Sequence, residues 1–220
     1  MADALQAERR ALLAAALPLV PFEGWNRRTL RRAAVAAGQP AGMAELAFPG
    51  GPGELIAFWA AEADRVMSTA LAGHDLAALK VRERLALAIR LRLEALVGQR
   101  EALCRALALQ MLPGEQARAA RTIWRTVDAI WRAAGDRSSD FNFYSKRGLL
   151  AGVYAATLVF WLDDRSQAQV ETWAFLERRL SDVLSVFGRL GRLGKLRQRL
   201  PEPWAWLSRL RYGRDGARAG

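Results

Sequence analysis

Cysteine and histidine are almost missing from this sequence, which holds one of each, Cys104 and His74, in 220 residues. A single thiol excludes an intramolecular disulfide framework, and nothing in the sequence calls for an oxidising compartment. One histidine and one cysteine cannot assemble the usual nitrogen and sulfur ligands of a zinc site, so no metal is expected. They lie far apart in the chain, and nothing near either would activate a Cys–His nucleophile. There is no glycine-rich phosphate loop and no carboxylate pair at a diagnostic spacing. The chain is therefore read as non-enzymatic, with no catalytic residue and no cofactor. Long hydrophobic runs are missing too. The longest uncharged stretch, Gly148 to Leu162, falls short of the ~20 residues that cross a bilayer, and no transmembrane segment is expected. Residues 11–22 (ALLAAALPLVPF) have the apolarity of a secretory leader. Asp3 and Glu8 before them, with Pro18 and Pro21 inside them, instead favour an amphipathic first helix.

What is present is globular: 52% hydrophobic and 25% charged residues. Strand alternation is nearly absent, and helical spacing dominates. Helices are predicted near 3–17, 26–37, 40–47, 52–71, 79–97, 100–111, 115–134, 140–161 and 167–187. Glycine and proline fall at the breaks, with Asn26 and Asp140 as N-caps. Leu85, Ile89, Leu93, Leu96 and Val97 recur on one helical face. Trp124, Val127, Ile130 and Trp131 recur on another. The run from Gly148 is apolar all round, as suits a helix buried in a core or a subunit interface. The expected fold class is all-α: three short, closely linked helices over 1–48 make a helix-turn-helix-like head, and 49–187 a larger helical body. That order resembles the TetR regulator architecture, whose ordinary occupation is ligand-responsive repression. Yet the candidate recognition segment, Pro40 to Phe48 (PAGMAELAF), has no lysine or arginine. Major-groove reading needs donors and phosphate-neutralising cations, so no nucleic-acid partner is expected. Arg27, Arg28, Arg31 and Arg32 on the preceding helix read as a solvated face.

The formal net charge of +11 is unevenly placed. From Arg189 onward there are nine basic residues against Glu202 and Asp215. Within residues 188–220, Leu193, Leu196, Leu200, Trp204 and Leu207 would share one helical face, with Arg192, Lys195, Arg199 and Arg209 broadly opposite. Pro201 and Pro203 should kink the segment before Trp204 and Trp206. Tryptophan beside arginine suits a bilayer interface, so this tail is read as membrane-docking. A helix folded back on the body and a nucleic-acid tail are the other readings.

Three blocks carry a family resemblance: AALPLVPFEGW (Ala15 to Trp25), AFPGG (Ala47 to Gly51) leading into Glu54-Leu55-Ile56, and DFNFYSKRGLLAGVYAATLVFWLDDRSQAQVETWAFLERRL (Asp140 to Leu180). On them the chain resembles, over about residues 10–187, the bacterial branch of the coenzyme Q biosynthesis lipid-binding accessory family, the ninth protein in the usual series. The resemblance implies a TetR-like homodimer that does not bind DNA. It also implies a hydrophobic tunnel for isoprenoid quinone or phospholipid tails, and a C-terminal amphipathic helix on the membrane. It further implies service to the demethoxyubiquinone hydroxylase from the cytoplasmic face of the bacterial inner membrane. Trp173, within ETWAFL, takes the place of the family's hydroxylase-contacting tryptophan, with Asp163, Asp164 and Arg178 completing the expected patch. Glu171 stands where the family more usually has aspartate. Without the resemblance, Trp173 would read as core packing. For the tunnel, Trp59, Met67, Trp124, Trp131 and Tyr154 are the expected lipid-facing residues, although apolar cores use the same residue types. Tyr144, Lys146 and Arg147 read either as a solvated helix start or as a polar rim of the tunnel.

Overall fold

The computed structural model of this chain describes residues 2–136 and 141–197, with side chains over 5–136 and 144–185. Among the described residues all regular structure is helical. The N-terminal helices are α1 (Ala2–Ala16), α2 (Val20–Glu23), α3 (Arg27–Ala36) and α4 (Met43–Ala47). Asn26 caps α3 as its position predicts: its side-chain oxygen accepts the Thr29 N–H at 2.9 Å. The second cap, Asp140, lies outside the described residues. Leu12, Ala16, Leu30, Ala33, Ala34 and Ala47 close the core between α1, α3 and α4.

Two of the sequence blocks that carry the family resemblance supply the junction between these helices and the rest. In AFPGG, Phe48 is buried and Gly51 is held at φ +69°, a conformation that favours glycine. Pro52 then opens α5 at a position whose N–H would have no helical partner. In PFEGW, the Trp25 indole is buried and donates to the Ala102 carbonyl at 2.9 Å. Arg9 makes a second tie, pairing with Glu54 at 2.8 Å while its guanidinium lies over the Phe48 and Phe58 rings.

The body consists of α5 (Pro52–Ala72), α6 (Val81–Glu94), α7 (Arg100–Gln110), α8 (Gln116–Ala133), α9 (Phe141–Asp163) and α10 (Val170–Arg197). The helix predicted over 79–97 stops at Glu94, and a short 3-10 turn at Val97–Gln99 leads into α7. The helix predicted over 167–187 starts at Val170 and continues unbroken to Arg197. Residues 1–180 form one compact unit and residues 181–220 another. Within the first, α5 packs against α8 and α6, and α8 against α9. The 85–96 face is buried as its spacing predicts, but Val97 is exposed. In the single chain α9 is covered on one side only. Leu150, Val153, Tyr154, Leu158 and Trp161 face inward, whereas Gly148, Leu149, Gly152, Ala156 and Val159 are exposed. No described helix is long and apolar enough to cross a membrane.

The turn between α9 and α10 is closed by Asp164. Its carboxylate accepts the Ser166 N–H at 2.8 Å, the Thr172 N–H at 2.9 Å and the Thr172 hydroxyl at 2.5 Å. Burial opposes ionisation, but these hydrogen bonds outweigh it and hold the carboxyl well below the usual carboxylate range. Within this turn Ala168 and Gln169 stand at φ +53°, a left-handed pair that non-glycine residues adopt at a cost.

One charge ties four helices together. Arg92 of α6 is 4% exposed, and its Nε donates to Asp64 Oδ1 of α5 at 2.7 Å. One terminal nitrogen donates to the Tyr154 hydroxyl of α9. The other reaches the Ala60 carbonyl of α5 at 3.4 Å and Thr126 Oγ1 of α8 at 3.3 Å. Thr126 in turn donates to Asp64 Oδ2 at 3.1 Å. Burial alone would push the guanidinium down, but the oxygens of Tyr154 and Asp64 reverse this and raise it. Removing one partner from a buried pair leaves an uncompensated charge, whereas replacing both with apolar groups does not. The single changes Asp64→Asn and Arg92→Met are each expected to lower unfolding free energy by about 3–5 kcal/mol. The double change Asp64→Leu/Arg92→Met should cost clearly less than the sum of the two in chemical denaturation, and additive losses would show that the pair is not coupled.

Candidate functional site

Between α5, α7, α8 and α9 lies an apolar cavity of about 120 Å³. Ile56, Trp59 and Ala63 of α5 form one wall, Leu103 and Ala106 of α7 another, and Ile123 of α8 with Leu158 of α9 a third. The small side chains leave the space: alanines stand at 60, 63, 106 and 155 where larger residues would fill it. The wall is polar where Arg92, Thr126 and Tyr154 border it, and again at Gln110 and Thr122. Trp59 keeps its indole N–H out of the apolar part by donating to Gln99 Oε1 at 2.9 Å, and its ring lies 5.6 Å from that of Trp25.

Of the five residues predicted to face lipid, Trp59 and Tyr154 line this cavity. The other three do not. Met67 is fully buried in the core. Trp131 is buried elsewhere on α8, beneath Lys146 and donating to its carbonyl at 3.3 Å. Trp124 is 36% exposed and stacks on Tyr144 at 6.1 Å between centroids. The rim reading of Tyr144, Lys146 and Arg147 does not hold for this cavity, since none of them borders it. Arg147, only 1% exposed, pairs instead with Asp128 at 2.7 Å and Asp136 at 3.4 Å. Sequence reasoning passed over Arg92, Asp64 and Thr126 altogether. A signal existed: Arg92 lies on the apolar face of Ile89 and Leu93, and Asp64 on that of Ala63 and Met67.

The residues predicted to meet a partner are split. Asp163 and Arg178 are exposed. Trp173 is half-buried at the surface, its indole donating to the Ala168 carbonyl at 2.9 Å and its ring beneath the Arg90 guanidinium at 5.2 Å. Asp164 is turned inward to staple the α9–α10 turn and is not available to a partner. Beside this patch Phe160 and Phe175 stack at 4.7 Å, joining α9 to α10. In the predicted membrane-docking set, Arg192, Leu193, Lys195 and Leu196 belong to the α10 backbone, with side chains outside the described residues. Arg199, Leu200, Trp204, Trp206 and Leu207 lie wholly outside them. In the N-terminal helices α4 is five residues long, and its Glu45 pairs with Arg31 at 2.6 Å while Glu23 pairs with Arg32. Arg31 holds the Glu45 carboxyl below its ordinary value by hydrogen bonding. Two of the four cations that could have met phosphate are thus engaged within the protein. Among the described residues no cluster of His, Cys, Asp and Glu could hold a metal.

Comparison with known proteins relates these features to a family. A protein of solved structure, the TetR transcriptional regulator from Nitrosomonas europaea, matches with a TM-score of 0.65 at 24% identity, over 80% of this chain and 97% of its own. The fold is thus all-α and TetR-like, as the helix order predicts. The ubiquinone biosynthesis protein COQ9, mitochondrial, of Bos taurus is 31% identical over 182 residues, which is 80% of this chain and 57% of the bovine protein. The Homo sapiens protein of the same name gives the same identity and coverage, and a probable ubiquinone biosynthesis protein coq9 of Dictyostelium discoideum is 27% identical over 179 residues. The chain thus spans little more than half the length of these curated relatives. The COQ9 family model itself matches residues 116–186, the segment that holds α8, α9, the Asp164 turn and Trp173. By that match and these relatives, the chain is similar to the COQ9 family over about four fifths of its length.

Proposed function

We propose that this chain is a non-enzymatic accessory factor of ubiquinone biosynthesis that binds part of a polyprenyl quinone intermediate and presents it to the demethoxyubiquinone hydroxylase. The observation that carries the reading is the apolar cavity between α5, α7, α8 and α9 in a body similar to the COQ9 family. An apolar cavity of about 150 Å³ takes a benzene ring, so about 120 Å³ suits one ring or one isoprene unit and not a whole polyprenyl chain. Burying the five carbons of one isoprene unit contributes roughly 4 kcal/mol before ordering costs, enough to grip a segment and weak enough to release it. A long tail would therefore extend beyond the cavity. The protein would work as a homodimer held peripherally at the cytoplasmic face of a bacterial inner membrane.

The cavity reading is tested by mass spectrometry of lipids extracted from the purified protein. An isoprenoid quinone or phospholipid in near-stoichiometric amount is expected. Ala106→Phe, which fills the cavity, should reduce the bound lipid at least severalfold while leaving the helical circular dichroism intact. Equal lipid in both proteins would place it elsewhere.

Trp173 supports the partner half of the proposal. Its ring is positioned by its own hydrogen bond to Ala168 and by Arg90, and aromatic rings with arginine are frequent anchors of protein interfaces. Trp173→Lys should weaken capture of the hydroxylase in pull-down by tenfold or more, with thermal stability little changed. Normal capture by the folded variant would remove Trp173 from the contact.

The basic segment 188–220 supports membrane attachment, because each lysine or arginine near an anionic leaflet contributes ~1 kcal/mol. Deleting it should abolish co-sedimentation with anionic vesicles, and raising the salt should weaken binding of the full chain. Unchanged co-sedimentation of the truncated chain would reject this role.

A further inference from the structure

The polar part of the cavity wall holds a donor that the protein leaves unused. The Tyr154 phenol is 3% exposed. Its oxygen accepts from Arg92, and no acceptor for its own proton occurs among the described residues. The other hydroxyls of the wall are already committed: Thr126 donates to Asp64 and accepts from Arg92, and Thr122 donates to the Arg118 carbonyl. Arg92 cannot serve as an acceptor, having none to offer. The phenol keeps its proton, because burial raises it more than the neighbouring Arg92 charge lowers it. A buried donor beside an otherwise apolar cavity is unfavourable alone and becomes favourable when a ligand brings an acceptor. Arg92 strengthens the donor further, since donation to the phenol oxygen polarises its O–H bond.

We propose that Tyr154 is a selectivity device: it donates to a carbonyl oxygen on a ring-sized ligand group, so that the cavity takes a quinone-type ring carbonyl in preference to hydrocarbon of the same shape. The proposal rests on the reading of the cavity as a lipid site and adds which end of the lipid enters it. The ring, with its oxygen on Tyr154, occupies the space bounded by Trp59 and Leu158, and the tail leaves. Arg92, held by Asp64, acts as a positioning residue for the phenol.

Acetophenone and isopropylbenzene suit the test, because they are close in size and differ chiefly in that a carbonyl oxygen takes the place of a methyl group and a hydrogen. Each would be titrated calorimetrically into the full chain, as wild type and as Tyr154→Phe. The expected result is that Tyr154→Phe weakens acetophenone about tenfold, the worth of one buried hydrogen bond, and leaves isopropylbenzene within about twofold, as unaltered apolar burial requires. In wild type the infrared carbonyl stretch of bound acetophenone should lie below its value in hexane. This second reading decides the matter even where Tyr154→Phe fails to fold. If isopropylbenzene binds wild type while acetophenone shows no lowered stretch and no loss on substitution, the cavity remains a lipid site and the role of Tyr154 falls. If neither compound binds, the cavity reading falls and takes this proposal with it.

Discussion

A guanidinium removed from water must be surrounded by oxygens, and in this chain three helices packed against α6 supply them. Arg92 of α6 takes Asp64 and the Ala60 carbonyl from α5, Thr126 from α8 and the Tyr154 phenol from α9. Apolar packing alone would let these helices slide by fractions of a turn at little cost, since alanine and leucine faces are forgiving of register. A fixed set of hydrogen bonds to a buried charge is not forgiving. It sets the rotation of each helix about its axis, and with it which side chains meet in the interior. The cavity lies where this register brings the short side chains of α5, α7 and α9 together.

The same constraint separates the two surfaces that the functional reading needs. The α9 helix is built with two sides. Inward it gives Tyr154, Leu158 and Trp161 to the core and cavity, and outward it shows Gly152, Ala156 and Val159. Past its end, Asp164 spends its carboxylate on the turn, and the reversal that follows delivers Trp173 to the surface under Arg90. Cavity and patch thus hang on one helix and one turn, both inside the segment that the COQ9 family model covers.

Much of the helix order was legible in the sequence because glycine, proline and Asn26 mark ends by simple backbone chemistry. Boundaries failed where no such residue stood: nothing at Glu94 announces where α6 stops. The cavity was only partly legible. Trp59 and Tyr154 border it, while Met67 and Trp131 are equally apolar and sit in solid core, and the choice depends on neighbours brought from distant helices. Trp124 shares the helical period of Val127 and Ile130 but falls at the edge of the buried stripe, where Tyr144 covers one face of its ring. Arg147 was open to two readings, a solvated helix start or a rim cation, because its own helix is apolar beyond it; Asp128 and Asp136, from another part of the chain, pair with it. The more telling sign was the pair of opposite charges, Asp64 and Arg92, each set on the apolar face of its helix, where only the other could make it tolerable.

Internal volume is also a mechanical property. A cavity of about 120 Å³ in every molecule amounts to ~70 mL per mole, on the scale of the whole volume change of unfolding for a typical domain, about 20–100 mL/mol. Compression favours whichever state has less void, so hydrostatic pressure acts on this fold in part through the space beside Tyr154. A ligand that fills it withdraws that handle. Occupied protein is therefore harder to unfold by pressure than by the gain in binding energy alone, and a bound ring would be felt across α5, α7, α8 and α9 as lost compressibility.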